Sequence, residues 1–504
     1  MSIPQRIYVY LAAFVSFAIL LQGAYGLATD IARAATWFRP SGDPEATWIA
    51  MIIVGLPVWL AHELLLRRAA DRHSEETGSV LRKLYVHGAI ALASLYVFLG
   101  SIWVIEDIVG DPQGLENVGG VIAAAGLWYY LWRRENLEGQ PTSRARTVIR
   151  WRVYGLSVVF LTAAVTAIYW ITYGLAYATY SLVFDAADTL ITAEDFQDPL
   201  RTAAGWAIVG ITAWAIQWRT VATTDEESVL RQVYLYGFAF IGGASLALWG
   251  TAATIYIVIA QLVGADNTTT AVAYFRQFIL PVVGLLIGVA LLAYHWSILR
   301  RDAARRIPSP TLLSESSAGQ AHLSITFKYI MSAVGLIALV PGLMALLMAL
   351  LDPLVSDNLF ASTNEQEEFL AVALTMIIVG APLWCVFWWR VLHTDPRSLV
   401  RRIYLYVALI ALGGTWLFTL IALLAAVLTA ILGQGSGFLD DALIPSLSIV
   451  IPAVAFFAYH VTILREDSHR TPAVSTEGPS RRGPNYYVVP APPYVIPEKS
   501  HLHP

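Results

Sequence analysis

Twelve stretches of this chain are apolar over about the 20 residues that a bilayer demands of a spanning helix. They lie near residues 5–34, 47–67, 81–109, 117–134, 149–184, 199–219, 230–263, 273–299, 326–353, 367–391, 399–433 and 443–465. In hydrocarbon every backbone N–H and C=O must find its partner within the segment, so each stretch reads as a helix. The remaining composition agrees. The 504 residues are 57% hydrophobic and only 13% charged, with mean hydropathy +0.60, where soluble domains carry roughly 25% charge. Lipid is the solvent such a surface needs, and the fold class that follows is an all-α polytopic membrane protein.

One opening recurs three times. Ser79-Val-Leu-Arg-Lys-Leu-Tyr85, Ser228-Val-Leu-Arg-Gln-Val-Tyr234 and Ser398-Leu-Val-Arg-Arg-Ile-Tyr404 each follow a polar linker and begin a long apolar run. The tyrosines are spaced by 149 and 170 residues, so one unit is written three times. Four helices per unit is an even number. Successive units therefore enter the membrane from the same side and form parallel repeats, unlike the inverted repeats of many transporters. The expected bounds are 1–145, 146–324 and 325–465, followed by a Pro-rich tail over 466–504.

Charge sets the orientation. With the N-terminus on the cytoplasmic side, 28 of the 32 Lys and Arg fall on that side, which is the positive-inside pattern. The expected location is the cell membrane, with both termini cytoplasmic. The first span ends in a signal-like Ala32-Arg33-Ala34. Its apolar region is too long for a secretory signal, and Arg6-Ile-Tyr8-Val-Tyr10 matches the later units. The tail, rich in Pro, Ser and Arg, cannot bury enough surface to fold alone. It reads as disordered, with polyproline II character, and offers a docking segment for a protein partner.

Two signatures sit on the helices. A basic residue precedes a tyrosine by one to three positions at the start of each odd-numbered helix, which marks Tyr8, Tyr85, Tyr154, Tyr234, Tyr329 and Tyr404. That pairing reads as interfacial anchoring, with the cation at the phosphates and the phenol just beneath. The second helix of each unit carries Gly55-Leu-Pro57-Val-Trp59, Gly210-Ile-Thr-Ala-Trp214 and Gly380-Ala-Pro382-Leu-Trp384. The glycine permits close helix approach, and the proline frees a carbonyl.

These openings and the Gly-x-Pro-x-Trp helix resemble the bacterial domain-of-unknown-function family 5671, a four-helix integral membrane domain. The resemblance implies three tandem copies over residues 1–465. It implies no functional residues.

Chemistry is otherwise sparse. The span centres hold almost no Asp, Glu, Lys or Arg, the groups that proton-coupled and ion-coupled carriers place there. There is no phosphate loop, zinc helix or nucleophile elbow. Cys385 is the lone cysteine, so an intrachain disulfide and a cysteine metal site are excluded. A net charge of −4 without a basic run gives no footprint for nucleic acid. One polar group stands out: His62, Glu63, His87, His295 and His460 all fall toward the cytoplasmic leaflet. Such residues suit a metal or a proton relay, but the preferred reading is an interfacial belt. No cofactor or metal is expected. The function expected is a non-enzymatic membrane scaffold or partner-binding protein, with a transporter or channel for a neutral or apolar small solute as the alternative.

Overall fold

The computed structural model describes residues 3–35, 44–72, 76–110, 115–138, 142–184, 193–222, 225, 228–266, 268, 270–305, 315–355, 363–395, 398–432 and 442–469. The Pro-rich tail expected to be disordered lies outside the described residues. The described elements are helical, with no strand among them. Unit 1 comprises α1 (Ile3–Ala35), α2 (Pro44–Arg72), α3 (Val80–Gly110) and α4 (Asn117–Leu137). Unit 2 comprises α5 (Ser143–Phe184), α6 (Ala193–Ala222), α7 (Val229–Val263) and α8 (Ile279–Arg305), the last preceded by a single turn. Unit 3 comprises α9 (Glu315–Val355), α10 (Thr363–Thr394), α11 (Leu399–Ile431) and α12 (Ile444–His469). Among the described residues ten helices are long and apolar enough to cross a membrane; α4 and α6 are the others. The last turns of α4 carry Arg133, Arg134 and Glu135, which lowers its hydropathy. The chain is thus an all-α polytopic membrane protein built of three repeats.

Helix pairing repeats with the sequence. In each unit the first helix packs on the second, and the third on the fourth. The glycine of the Gly-x-Pro-x-Trp signature sets the first pairing. A Cβ on Gly55 would stand 3.0 Å from the Leu20 amide nitrogen, on Gly210 2.9 Å from Ala164, and on Gly380 2.6 Å from Leu339. Each is a backbone atom on the neighbouring helix, which cannot move aside as a side chain can. Helices in lipid associate through this kind of close packing, because no hydrophobic force separates them from the tails. Gly335 makes the reciprocal approach, its Cβ position lying 2.4 Å from the Trp384 nitrogen. Gly335→Ala is therefore expected to destabilise unit 3 by about 1–3 kcal/mol, read as lowered thermal unfolding in detergent. Gly126→Ala, where a Cβ meets nothing within 4 Å, should be neutral. Equal behaviour of the two would sink the packing argument.

Units join head to tail. The third helix of one unit packs on the first and second helices of the next. At the first junction Phe98 of α3 meets Phe160 of α5 at 4.6 Å and Trp206 of α6 at 6.0 Å. At the second, Phe240 of α7 meets Phe327 of α9 at 4.8 Å, and Ile259 and Ala260 cluster with the fully buried Ala371 of α10. One local departure marks unit 2: Val233–Phe240 of α7 forms π-helical turns, whereas the matching residues of α3 and α11 are α-helical.

Candidate functional site

A layer of buried polar side chains crosses each unit at the end where the odd-numbered helices begin. It is built by the repeated opening, starting with an acid just before the serine. Glu76, Asp225 and Asp395 each stand three residues ahead of Ser79, Ser228 and Ser398. Each accepts a hydrogen bond from a tyrosine of the unit's first helix: Tyr10 to Glu76 at 2.6 Å, Tyr154 to Asp225 at 3.2 Å and Tyr329 to Asp395 at 3.1 Å. Arg6 pairs with Glu76 at 2.7 Å, and Arg150 pairs with Asp225.

The arginine three residues after the serine turns inward and is almost fully buried in every copy. Arg82 pairs with Glu138, Arg231 with Asp302 and Arg401 with Asp467, each at 2.6 Å. Each of those acids stands at the end of the unit's fourth helix, so the pair closes the third helix onto the fourth. Further in, the signature tryptophan reaches the repeat tyrosine. Trp59 donates its indole N–H to Tyr85 at 3.0 Å, Trp214 to Tyr234 at 2.8 Å and Trp384 to Tyr404 at 3.3 Å.

This geometry corrects the reading of the tyrosines as lipid-facing anchors. Tyr85, Tyr154, Tyr234, Tyr329 and Tyr404 are all buried within their units, with their hydroxyls engaged by the acids or tryptophans. Tyr8 is 66% exposed, but it lies half a turn from the true counterpart. Tyr10, which bonds the loop acid, corresponds to Tyr154 and Tyr329. A buried phenol requires a partner for its hydroxyl, and the acid and the tryptophan supply one.

The inner polar group separates in the same way. His62 is only half-buried, its Nδ1 hydrogen-bonded to the Val58 carbonyl at 2.8 Å, its ring edge-on to Tyr8. His295 and His460 lie in units 2 and 3, both fully buried. Their Nδ1 atoms meet the Leu291 and Phe456 carbonyls at 2.8 and 2.7 Å. A carbonyl only accepts, so Nδ1 carries the proton. Nε2 is left as a bare acceptor without a partner, in a box that includes Tyr234 or Tyr404. Of the five, Glu63 and His87 are joined, indirectly, through Arg134, Glu138, Lys83 and Glu135. Among the described residues no three or more His, Cys, Asp or Glu side chains are grouped to hold a metal ion.

Glu63 and His87 belong to a charged network found in unit 1. Glu63 forms an ion pair with Arg134 and accepts hydrogen bonds from Arg67 at 3.2 Å and from Tyr85 at 3.3 Å. Lys83 pairs with Glu135 at 2.8 Å and Glu138 at 3.1 Å, and His87 lies 3.3 Å from Glu135. In units 2 and 3 three of these places are apolar or aromatic, while Lys83 is matched by Gln232 and Arg402. Trp218 and Trp388 replace Glu63, Ile298 and Ile463 replace Arg134, and Leu299 and Leu464 replace Glu135. His295 and His460 in turn occupy the place of the buried Leu131. Where Glu63 is absent Arg134 is absent too, as expected where an unpaired buried charge is intolerable.

Cavities are lateral and apolar. A cleft of about 630 Å³ runs between α9 and α11, one of about 770 Å³ lies along α5 and α6, and one of about 500 Å³ lies where α3 meets α6. None is lined by a charged residue. Thr212, which stands where the other copies have proline, lines the third.

Three parallel-ordered four-helix units, each closed by an internal acid–arginine–tyrosine layer, define a polytopic α-helical membrane protein with a threefold repeat. The chain matches the family described as domain of unknown function DUF5671 over residues 6–120, 172–269 and 326–455, and belongs to that family. Neither curated proteins nor solved structures give a match.

Proposed function

We propose that this protein is a non-enzymatic membrane scaffold that binds a partner, lying in the cell membrane with both termini cytoplasmic. One observation carries the reading. The buried arginines pair with carboxylates across helices within their own units, while the clefts between helices are lined mostly by apolar side chains. Polar groups spent on holding helices together form a rigid frame. An ion path would need charges, ordered carbonyls or water along it. The Pro- and Tyr-rich tail is the proposed docking segment for a protein partner.

The test has two arms. Protein reconstituted in planar bilayers should show no ionic conductance above empty controls, and tagged full-length protein should recover the same partner from native membranes only when residues 466–504 are present. Reproducible unitary currents would replace the scaffold by a channel. Loss of tail dependence would remove the proposed docking segment.

The alternative, a transporter for a neutral or apolar small solute, is favoured by the volume of the clefts, which lies within the usual range of ligand pockets. Solute-dependent flux in liposomes would select it. The orientation rests on the 28-to-4 division of Lys and Arg and the positive-inside rule. In a Cys385→Ser background, Asp357→Cys should react with an impermeant reagent added outside and Ser475→Cys should not; the reverse labelling would invert every face.

A further inference from the structure

The two joints between units leave one half of the same joint exposed in each end unit. At the first joint the giving face is Ala91, Leu95, Phe98 and Ile102 of α3, a spacing that puts all four on one side of the helix. It packs on α5 and on the Val209 side of α6. The backbones come close there, since a Cβ on Gly205 would stand 3.3 Å from the Ile102 carbonyl oxygen. Tyr85 and Tyr404 mark the same place in units 1 and 3, so α11 carries the matching face at Ile410, Gly414, Leu417 and Ile421. Ile102 is fully buried, whereas Ile421, the same residue at the same place, is 63% exposed.

The receiving side behaves alike. The Gly-x-Pro-x-Trp helices align on Gly55, Gly210 and Gly380. Ala50 and Val54 of α2 therefore stand where Gly205 and Val209 receive α3, and Ala46 stands where Ala371 receives α7. Ala371 is fully buried in a cluster with Ile259 and Ala260, while Ala46 and Ala50 are exposed. Val209 is half-buried, while Val54 is 59% exposed.

Apolar exposure is by itself ordinary in a membrane helix, because lipid tails are as apolar as the side chains. What sets these two faces apart is continuity with an interface that the fold already makes twice. Both times, the third helix of a unit is covered by the first two helices of another unit. The faces are also the two different sides of that interface. A contact between different sides is heterologous, so it joins copies head to tail, in the way that repeat units stack on their neighbours. Because the units run parallel, a second chain inserted in the same orientation brings its α2 to α11 at the depth at which α6 meets α3.

We propose that a second copy of this chain docks its α1–α2 face on α11, repeating between chains the joint that links the units within one. The proposal uses the joints and not the Pro-rich tail. Two populations of full-length chain, both in a Cys385→Ser background, are co-expressed in one membrane. One carries Ala50→Cys and the other Ile421→Cys, and the membranes are oxidised with copper phenanthroline. The pair should give a disulfide-linked dimer at least tenfold above either population alone. Leu420→Cys, about 100° round the helix from position 421, should not replace Ile421→Cys. Ala50→Phe, at a position exposed in the single chain, should weaken association at least tenfold, about 1.4 kcal/mol. That loss is read by energy transfer between labelled chains diluted in liposomes, with the unfolding midpoint unchanged. Absence of the mixed dimer would leave lipid on both faces and overturn the proposal. A dimer of equal yield from one population alone, or from Leu420→Cys, would also overturn it, as would linkage of Ile421→Cys to a different protein.

Discussion

Glu63→Gln is expected to destabilise unit 1 by about 3–5 kcal/mol, because it strips the carboxylate from a buried guanidinium. Arg134 loses its closer partner and keeps Glu138 at 3.5 Å, in a place where 11% of its side chain is exposed, and both of its terminal nitrogens already lack a well-aligned hydrogen bond. The internal repeat supplies the compensated alternative. Glu63→Trp with Arg134→Ile installs what units 2 and 3 carry, and replacing a buried ion pair by apolar residues of suitable volume is often neutral. A double-mutant cycle on unfolding in detergent should therefore show a strong favourable coupling between the two positions. If Glu63→Gln costs less than about 0.5 kcal/mol, the network does not hold unit 1 together.

Asp467→Asn is expected to act as strongly on unit 3. The Arg401 guanidinium donates to both carboxylate oxygens of Asp467, at 2.6 and 3.0 Å, and to the Asp395 main-chain carbonyl at 2.9 Å. Removing the charge leaves a buried cation against a neutral amide, a loss of about 3–5 kcal/mol. Lys at position 401 should not restore it, since an ammonium cannot make the bidentate fork. An unchanged unfolding midpoint for Asp467→Asn would show that the closure of α11 on α12 rests on packing alone.

The corresponding pairs of unit 1 give this layer a pH dependence. Burial alone would push Glu138 up, but hydrogen bonds and charge from Arg82, with Lys83 beside it, hold it below the usual carboxylate range. Burial of Glu76 is likewise overcome by hydrogen bonds from Tyr10 and Arg6. A carboxylate lower in the folded state than in the unfolded one stabilises above its unfolded value, near pH ~4.3. That contribution disappears as pH falls through the lower folded value. Stability should thus be flat from neutral pH down to the mid-fours and decline below. A decline beginning near pH 6.5 would point to histidine instead.

The repeat was legible from Ser79, Ser228 and Ser398 alone, but its chemistry was only half read. The arginine three residues on was visible as a basic residue at a helix start, and a basic residue at a helix start looks the same whether it faces phosphates or a carboxylate. Its partners Glu138, Asp302 and Asp467 lie 56, 71 and 66 residues away, with no fixed spacing to betray them. A nearer signal existed. Glu76, Asp225 and Asp395 precede the three serines at the same distance, and an acid repeated with an arginine six residues on is weak grounds for an anchor and good grounds for an internal pair. The histidines show the opposite limit. Their shared depth suggested one cluster, yet His295 and His460 belong to separate units, and His62 faces outward.

By itself the sequence determined the class of object: helices, because hydrocarbon offers the backbone no other partner, and three units, because the openings and the Gly-x-Pro-x-Trp helix recur. Such properties depend on residues close along the chain. Only the tertiary structure decided which way the tyrosines and arginines point. Amphipathic side chains satisfy their polar ends equally well at a lipid surface or inside a bundle, and the choice is made by whether a carboxylate from another helix arrives at hydrogen-bonding distance. It also decided where a cleft opens between α9 and α11. A cleft of that kind depends on small residues facing each other across two helices about 70 positions apart, a relation no stretch of sequence contains.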